Sequence, residues 1–254
     1  MKKIITDLII NYVKQYKLPD GSKTEWGVPL VGFAAAQDPL FLKLRDIVRE
    51  EHLMPVDVLK NAETVISYYI PFSNNLVHSN KDGESCSREW AEAYVETNKM
   101  MSELNNYLVD KINELKFDAS VVDWYFDREK LISSWSQRHV AFIAGLGTFG
   151  INNMLITEKG CSGRYGSLVT SIRVEPDPRP VSEFCLYKNN GSCRVCVKNC
   201  VFGALKEDSF NRYKCLEVCM KNSDRYRELG EAEACGKCLT MVPCSFINPT
   251  NRKV

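Results

Sequence analysis

Nine of the eleven cysteines fall between Cys185 and Cys244, and their spacing is typical of iron–sulfur proteins. Cys193, Cys196 and Cys200 form a C-x-x-C-x-x-x-C run, whose short spacing lets neighbouring thiolates bind one cluster from a single loop. The last cysteine of such a run faces a second cluster in bacterial two-cluster ferredoxins. Five more cysteines follow at Cys215, Cys219, Cys235, Cys238 and Cys244. The sequence therefore predicts two 4Fe–4S clusters.

The predicted ligands divide into two sets of four. The first cluster is assigned to Cys185, Cys193, Cys196 and Cys244. The second cluster is assigned to Cys200, Cys215, Cys235 and Cys238. Cys219 lies one helical turn after Cys215, and the two could exchange roles. The alternative is a pair of Cys₄ zinc sites, because C-x-x-C pairs also build zinc ribbons; zinc leaves a protein colourless, whereas iron–sulfur clusters make it brown.

Residues 144–150, AGLGTFG, contain a G-x-G-x-x-G pattern at Gly145, Gly147 and Gly150. A dinucleotide site would need a helix after this pattern and an acidic residue about twenty positions later. Residues 168–170 are Leu, Val and Thr, so the context disfavours a dinucleotide. A second glycine-rich loop, KGCSGRYGS, follows a short strand. Two such loops suit a broad, flat ligand that the backbone approaches closely.

The elements that position these groups alternate between helix and strand up to about residue 178. Apolar periodicity predicts helices over 3–17, 38–53 and 100–115, and places Met100 and Met101 in the core. β-Branched and apolar runs predict strands over 30–36, 63–72, 117–126, 139–145 and 167–176. The proline-rich stretch 176–180 separates the two predicted domains, 1–178 and 179–254.

Bulk composition favours a folded cytoplasmic protein. The chain has 254 residues, 44% of them hydrophobic, and a net charge of +1. No apolar run approaches the roughly 20 residues that a membrane span needs. The cytosol keeps thiols reduced, so the cysteines are not expected to form disulfides. The near-neutral charge and the lack of a basic tract give little support to tRNA binding.

The run SQRHVAFIAGLGTFGINNMLITEKGCSGRYGSLVT, followed by the cysteines, resembles the epoxyqueuosine reductases and, more distantly, the reductive dehalogenases. The resemblance covers roughly residues 55–245. It implies an α+β protein in which a nitroreductase-like, corrinoid-binding α/β domain precedes a ferredoxin-like module. It also implies a base-off cobalamin whose cobalt the clusters reduce. The residues expected at the corrin are Arg138, His139, Gly145, Gly147, Thr148, Phe149, Gly150, Asn152, Gly163, Tyr165 and Gly166.

The sequence departs from this family at two places. Leu131 occupies the position of the proposed acidic proton donor, with Asp123 and Asp127 nearby but out of register. The chain ends ten residues after Cys244, where the family continues into a helical-repeat domain that grips tRNA, so a short form is expected. Tyr165 and His139 are the remaining catalytic candidates. Tyr165 is a proton donor or a packing residue, and His139 is a cobalt ligand or a hydrogen-bonded residue at a strand start.

Two functions from different classes follow. The first is a cobalamin- and iron–sulfur-dependent reductase acting on a small molecule or a tRNA base. The second is an electron-transfer protein that reduces a corrinoid or a corrinoid protein and has no organic substrate. A two-cluster ferredoxin with an accessory domain is a third. The expected electron donor is a low-potential carrier such as a ferredoxin or flavodoxin, and no membrane partner is expected.

Overall fold

The computed structural model describes residues 1–251. Its strands are β1 (Leu30–Ala35), β2 (Thr64–Pro71), β3 (Ala119–Val121), β4 (Phe126–Asp127), β5 (Ile132–Ser133), β6 (Gly147–Phe149), β7 (Leu155–Thr157) and β8 (Gly163–Thr170). Its helices are α1 (Lys2–Gln15), α2 (Pro39–Ile47), α3 (Pro55–Val58), α4 (Asn74–Ser79), α5 (Arg88–Glu114), α6 (Gln137–Ile143), α7 (Leu186–Asn190), α8 (Val195–Lys198) and α9 (Arg212–Arg225). Two short 3-10 helices cover Arg227–Leu229 and Pro249–Asn251.

A four-stranded antiparallel sheet in the order β1-β2-β8-β3 forms the centre of the molecule. Successive residues of β2 point to opposite faces, and both faces are covered by helices. Ile66 packs on the side of α1 and α5, whereas Val65 packs on the side of α2 and α6. Every residue of β2 is therefore buried, which explains its largely apolar sequence.

The amphipathic pattern of the long helix is confirmed, and so is its assignment to the core. Met100, Leu104, Leu108 and Ile112 recur at helical spacing, and all four are inaccessible to solvent. The helix begins earlier than predicted, at Arg88, because the side chain of Ser87 caps it by accepting a hydrogen bond from the Trp90 backbone N–H.

The strand predicted over residues 139–145 is wrong. Residues 137–143 form helix α6, and its buried face packs on the central sheet beside α2. The buried residues of this helix are Val140, Ala141 and Ile143. An apolar run of this length fits both the helical and the strand period, so packing against the neighbouring elements decides whether it forms a helix or a strand. His139 consequently lies inside a helix and not at the start of a strand.

The cysteine segment, residues 179–251, folds into short helices and turns. Its apolar residues join a cluster with α5 and β7, in which Phe184 and Leu239 pack near Trp90 and Ile156. The linker before it is tied to β1, because Asp177 accepts hydrogen bonds from the Phe33 N–H at 3.0 Å and from Lys2 Nζ at 2.6 Å. The last three residues of the predicted second domain, 252–254, lie outside the described residues.

Within residues 1–251, no helix combines the length and the apolar character that crossing a lipid bilayer requires.

Candidate metal centre

Four of the predicted ligands surround one cavity. The first cysteine group comprises Cys185, Cys193, Cys196 and Cys244, and all four line a small cavity of about 20 Å³ that is partly open to solvent. Cys185 precedes the first turn of α7, Cys196 lies in α8, and Cys244 follows the turn that ends the chain's last cysteine motif. The structure therefore brings together residues that are up to 59 positions apart in the sequence.

The electrostatics of this group reflect its crowding. Burial, together with the neighbouring Cys244, Cys185 and Cys193, raises the pKa of the Cys196 thiol to about 12. Several thiolates cannot share such a site without a compensating positive charge. Metal binding supplies that charge, because thiol ligands lose their protons when a metal binds.

The second cysteine group comprises Cys200, Cys215, Cys235 and Cys238, and it lies beside the first. Cys238 is at its centre. Burial raises the pKa of this thiol well above its usual value, and four neighbouring thiols act in the same direction: Cys235, Cys215, Cys196 and Cys200. Cys200 ends the turn after α8, where its Sγ accepts a hydrogen bond from the Leu205 N–H at 3.3 Å. Because Cys196 also acts on Cys238, the two groups are close neighbours.

Cys215 and Cys219 occupy successive turns of α9 and are not equivalent. A hydrogen bond from the Cys219 thiol, together with the Arg138 charge, lowers the pKa of Cys215 to about 7 against the opposing effect of burial. Cys215 therefore faces Arg138 and the second group. Besides Cys215, the thiols that act on Cys219 are Cys235 and Cys86. Which of the two binds a cluster stays a prediction.

The chemistry of the donor set fits iron–sulfur clusters, because 4Fe–4S clusters are held by four cysteine thiolates. Among residues 1–251, no three His, Cys, Asp or Glu side chains converge closely enough to hold one metal ion. A zinc ion would use the same thiolates at about 2.3 Å, so the metal content of the protein distinguishes the two.

A buried lysine in the second group was missed by the sequence analysis, although it stands between two cysteines in C-G-K-C. Lys237 is 4% exposed, and its Nζ donates to the carbonyl oxygens of Asn80 at 2.9 Å and Asp82 at 2.7 Å. Burial lowers its pKa, and the nearby Cys235 and Cys86 thiols and the Asp82 carboxylate oppose that effect. A buried cation with only carbonyl partners is costly unless a negative charge lies nearby. An anionic cluster on Cys235 and Cys238 would supply that charge.

The glycine-rich loops pack against protein atoms. At Gly145, Gly147, Gly150, Gly163 and Gly166, an added Cβ would meet another protein atom at 1.9 to 2.7 Å. At Gly147, for example, that atom is the Ile156 carbonyl oxygen of the neighbouring strand, at 1.9 Å. The missing side chains thus make room for the protein's own backbone and rings, not for a flat ligand. Contact of these glycines with a corrin stays a prediction that their packing does not support.

The same loop lies directly on the cysteine segment. The Phe184 N–H donates to Thr148 Oγ1 at 2.7 Å, and Asn152 Nδ2 donates to the Cys238 carbonyl oxygen at 3.3 Å. These bonds join the loop to both predicted cluster regions.

Three side chains among the predicted cofactor contacts remain accessible to solvent: Arg138, His139 and Phe149. The rings of His139 and Phe149 are 4.8 Å apart, and His139 Nδ1 is 2.7 Å from Ser136 Oγ. Burial, with help from the Arg138 and His52 charges, lowers the pKa of His139 to about 4. The imidazole is therefore neutral at pH 7, the form that binds metals.

Neither Tyr165, the candidate proton donor, nor Leu131, at the position of the family's acid, presents a free proton. Tyr165 is buried, stacks on Tyr69 with ring centroids 4.7 Å apart, and donates its hydroxyl hydrogen to the Leu155 carbonyl oxygen at 2.6 Å. Leu131 lies in the turn of the β4–β5 hairpin with φ +54°. Asp127 in the same hairpin caps that turn by accepting from the N–H groups of residues 129 and 130.

The hairpin reaches the cysteine segment. Tyr213 Oη donates to the Glu129 carbonyl oxygen at 3.2 Å, and Arg128 pairs with Glu233 at 2.9 Å. The hairpin, α6 and the start of α9 therefore border one region next to Cys215.

Comparison with known proteins identifies the architecture. No family model matches this chain. No curated protein matches it either. Among solved structures, an epoxyqueuosine reductase from Streptococcus thermophilus superposes with a TM-score of 0.55 at 19% identity, over 87% of this chain and 58% of that one. The chain has the fold of these reductases.

Two further structures share the epoxyqueuosine reductase fold. The Bacillus subtilis enzyme, with its catalytic aspartate loop swung out of the active site, matches over 96% of this chain and 66% of its own length at 19% identity and TM-score 0.55. The catabolic reductive dehalogenase NpRdhA, in complex with 3-bromo-4-hydroxybenzoic acid, matches over 95% and 36% at 16% identity and TM-score 0.56. The chain thus spans about a third to two thirds of their lengths. The resemblance predicted from the glycine and cysteine motifs is confirmed at the level of the fold, and the mixed α/β class with it.

Proposed function

We propose that the protein is an iron–sulfur oxidoreductase of the cobalamin-dependent kind, in which each cysteine group holds one 4Fe–4S cluster and the clusters deliver electrons to a corrinoid cobalt. One observation carries the proposal: eight cysteines that the sequence scatters over 60 residues form two adjacent groups, one of them around a cavity. The fold shared with epoxyqueuosine reductases and reductive dehalogenases supports the same chemistry.

Each cluster takes up one electron at a time, and its reduced form is the more negative. The buried ammonium group of Lys237 would favour this reduced form in the second group, because its positive charge lies close to the Cys235 thiol. The first group is half open to solvent at Cys193 and Cys244, where an electron carrier can approach. A finer division into a nitroreductase-like domain and a ferredoxin-like module belongs to this proposal.

The corrinoid, when bound, supplies a cobalt centre of very low potential that does the bond-breaking chemistry. The residues that would hold it are the accessible Arg138, His139 and Phe149, and not the five packed glycines. His139 offers a neutral imidazole next to an aromatic ring. Arg138 lies between this surface and Cys215, so it can bind an amide or phosphate group while facing the second cysteine group.

A second function, electron transfer to a corrinoid without an organic substrate, is favoured by one specific observation. Leu131 stands where the resemblance places the family's proton donor, and the Tyr165 hydroxyl donates its hydrogen to the Leu155 carbonyl oxygen. Reductive cleavage of an epoxide or a carbon–halogen bond needs a proton as well as electrons. A chain without a placed donor can still reduce cobalt.

Iron analysis tests the cluster proposal. Anaerobic reconstitution with iron and sulfide should give a brown protein with about eight iron atoms per chain, as two 4Fe–4S clusters require. Cys193→Ala should retain about half of that iron. Cys86→Ala is the control, because Cys86 is a thiol outside both groups, and it should retain all of the iron. A colourless protein containing zinc, or full iron in Cys193→Ala, would contradict the assignment.

Visible spectroscopy then tests the corrinoid. Cobalamin added to the reconstituted protein should shift to its base-off spectrum, and Phe149→Ala should weaken that shift. A spectrum identical to free cobalamin would refute the corrinoid part of the proposal and leave the clusters unaffected. If cobalamin binds, incubation of the reduced protein with an epoxyqueuosine-containing stem-loop distinguishes the two functions: turnover identifies a reductase, and cobalt reduction alone identifies a carrier.

A further inference from the structure

Cys161 lies outside both cysteine groups but touches one of them. Its side chain is fully buried, and its Sγ is 3.8 Å from the Sγ of Cys244. Two backbone hydrogen bonds fix this contact: the Cys161 N–H donates to the Cys244 carbonyl oxygen at 2.9 Å, and the Ser162 N–H donates to that of Ser245 at 3.2 Å. The two thiols are therefore held side by side by the fold.

Cys161 lies behind Cys244 as seen from the cavity. Cys244 lines the cavity with the other three members of the first group, whereas Cys161 does not. Its other neighbours are the Asn152 side chain, which hydrogen-bonds to it, the thiol of Cys238, and residues of the core cluster that contains Trp90 and Ile156. Cys161 is thus placed to touch a cluster ligand without reaching the cluster itself.

The direction of the hydrogen bond follows from the chemistry. A cysteine that binds iron does so as a thiolate and has no proton to give. The one S–H of the pair is then that of Cys161, and Cys244 accepts. An S–H group is a weak donor in water, but this one is excluded from solvent, where hydrogen bonds to charged acceptors are stronger.

We propose that the thiol of Cys161 donates a hydrogen bond to the ligand sulfur of Cys244 and thereby makes the first cluster easier to reduce. The proposal rests on the proposed function, because it needs a cluster on the first cysteine group. Hydrogen bonds to cluster sulfurs raise the reduction potential, since they stabilise the reduced state, which carries more negative charge. Cys161 is a positioning residue in this scheme and not a ligand.

The test is a potentiometric titration of the reconstituted protein followed by EPR, with the first cluster identified as the signal that Cys193→Ala loses. Cys161→Ala removes the donor, and we expect the ratio of reduced to oxidised first cluster at a given ambient potential to fall several-fold. A tenfold fall would equal a shift of about 59 mV for a one-electron couple. Cys161→Ser keeps an O–H donor and should restore much of the wild-type ratio.

Cys86→Ala is the matched control for packing, because it removes a buried thiol from the same core cluster without touching Cys244. It should leave the potential of the first cluster unchanged. An unchanged potential in Cys161→Ala with full iron would overturn the proposal. Loss of half the iron in Cys161→Ala would also overturn it, because Cys161 would then be a ligand. A wild-type chain that assembles no cluster fails earlier, at the proposed function.

Discussion

Gly236, between Cys235 and Lys237, offers the sharpest test of how the second cysteine group is held. Its φ is +75°, and an added Cβ would lie 2.3 Å from two ring atoms of Trp90. Trp90 is 4% exposed and meets Phe72 edge-on at 5.3 Å, so its ring has little room to move. Gly236→Ala is therefore expected to strain the backbone and to overpack the core.

Two costs add up in this variant. A left-handed conformation costs a non-glycine residue about 1–2 kcal/mol. Overpacking a core by one methyl group costs about 1–3 kcal/mol more. The sum is about 2–5 kcal/mol, a large part of the total stability of a typical domain. Gly203 provides the matched control, because its φ is +61° and nothing lies within 4 Å of an added Cβ. Gly203→Ala should lose only the backbone term.

Urea unfolding of the reconstituted protein, followed by tryptophan fluorescence, measures both variants, and iron analysis accompanies it. Gly236→Ala should unfold at lower urea than Gly203→Ala and should lose iron, because its neighbours Cys235 and Cys238 move with it. Equal midpoints for the two variants would mean that Trp90 does not press on Gly236 as described.

Three further outcomes are expected. His139 has a folded pKa of about 4, below its ordinary value of 6.5, so its contribution to stability is complete above pH 6.5 and is lost as pH falls towards 4. The difference in urea midpoint between wild type and His139→Gln should therefore change between pH 6.5 and pH 4, and a constant difference would contradict this. The hydroxyl of Tyr69 is buried without a partner among residues 1–251, so Tyr69→Phe should leave the melting temperature unchanged or raise it. Tyr165→Phe loses a 2.6 Å hydrogen bond and should lower the free energy of unfolding by about 1 kcal/mol. A larger loss of stability in Tyr69→Phe than in Tyr165→Phe would reveal a partner. Lys237→Met should speed iron loss to a chelator from one cluster of the two, and an unaltered rate would show that its charge does not serve the second group.

Short-range spacing made the cysteine motifs and the long helix predictable. Cys193, Cys196 and Cys200 lie within eight residues, so the covalent chain alone holds them near one another. The buried positions of α5 repeat every three or four residues, which marks a helix whatever surrounds it. The mixed α/β class followed from the same periodicities. The recognised motifs also predicted the fold that the solved reductases share.

Contacts between distant segments were beyond such reasoning. The packing of 139–143 as a helix depends on the sheet and on α2, and the glycines of AGLGTFG pack against strands and a linker that no local pattern identifies. Nothing in the sequence indicated that Cys161 would lie 3.8 Å from Cys244, or that Lys237 would be buried between carbonyls. Chain connectivity governs which residues are near in sequence. Burial of the apolar faces, summed over the whole molecule, governs which residues meet across it.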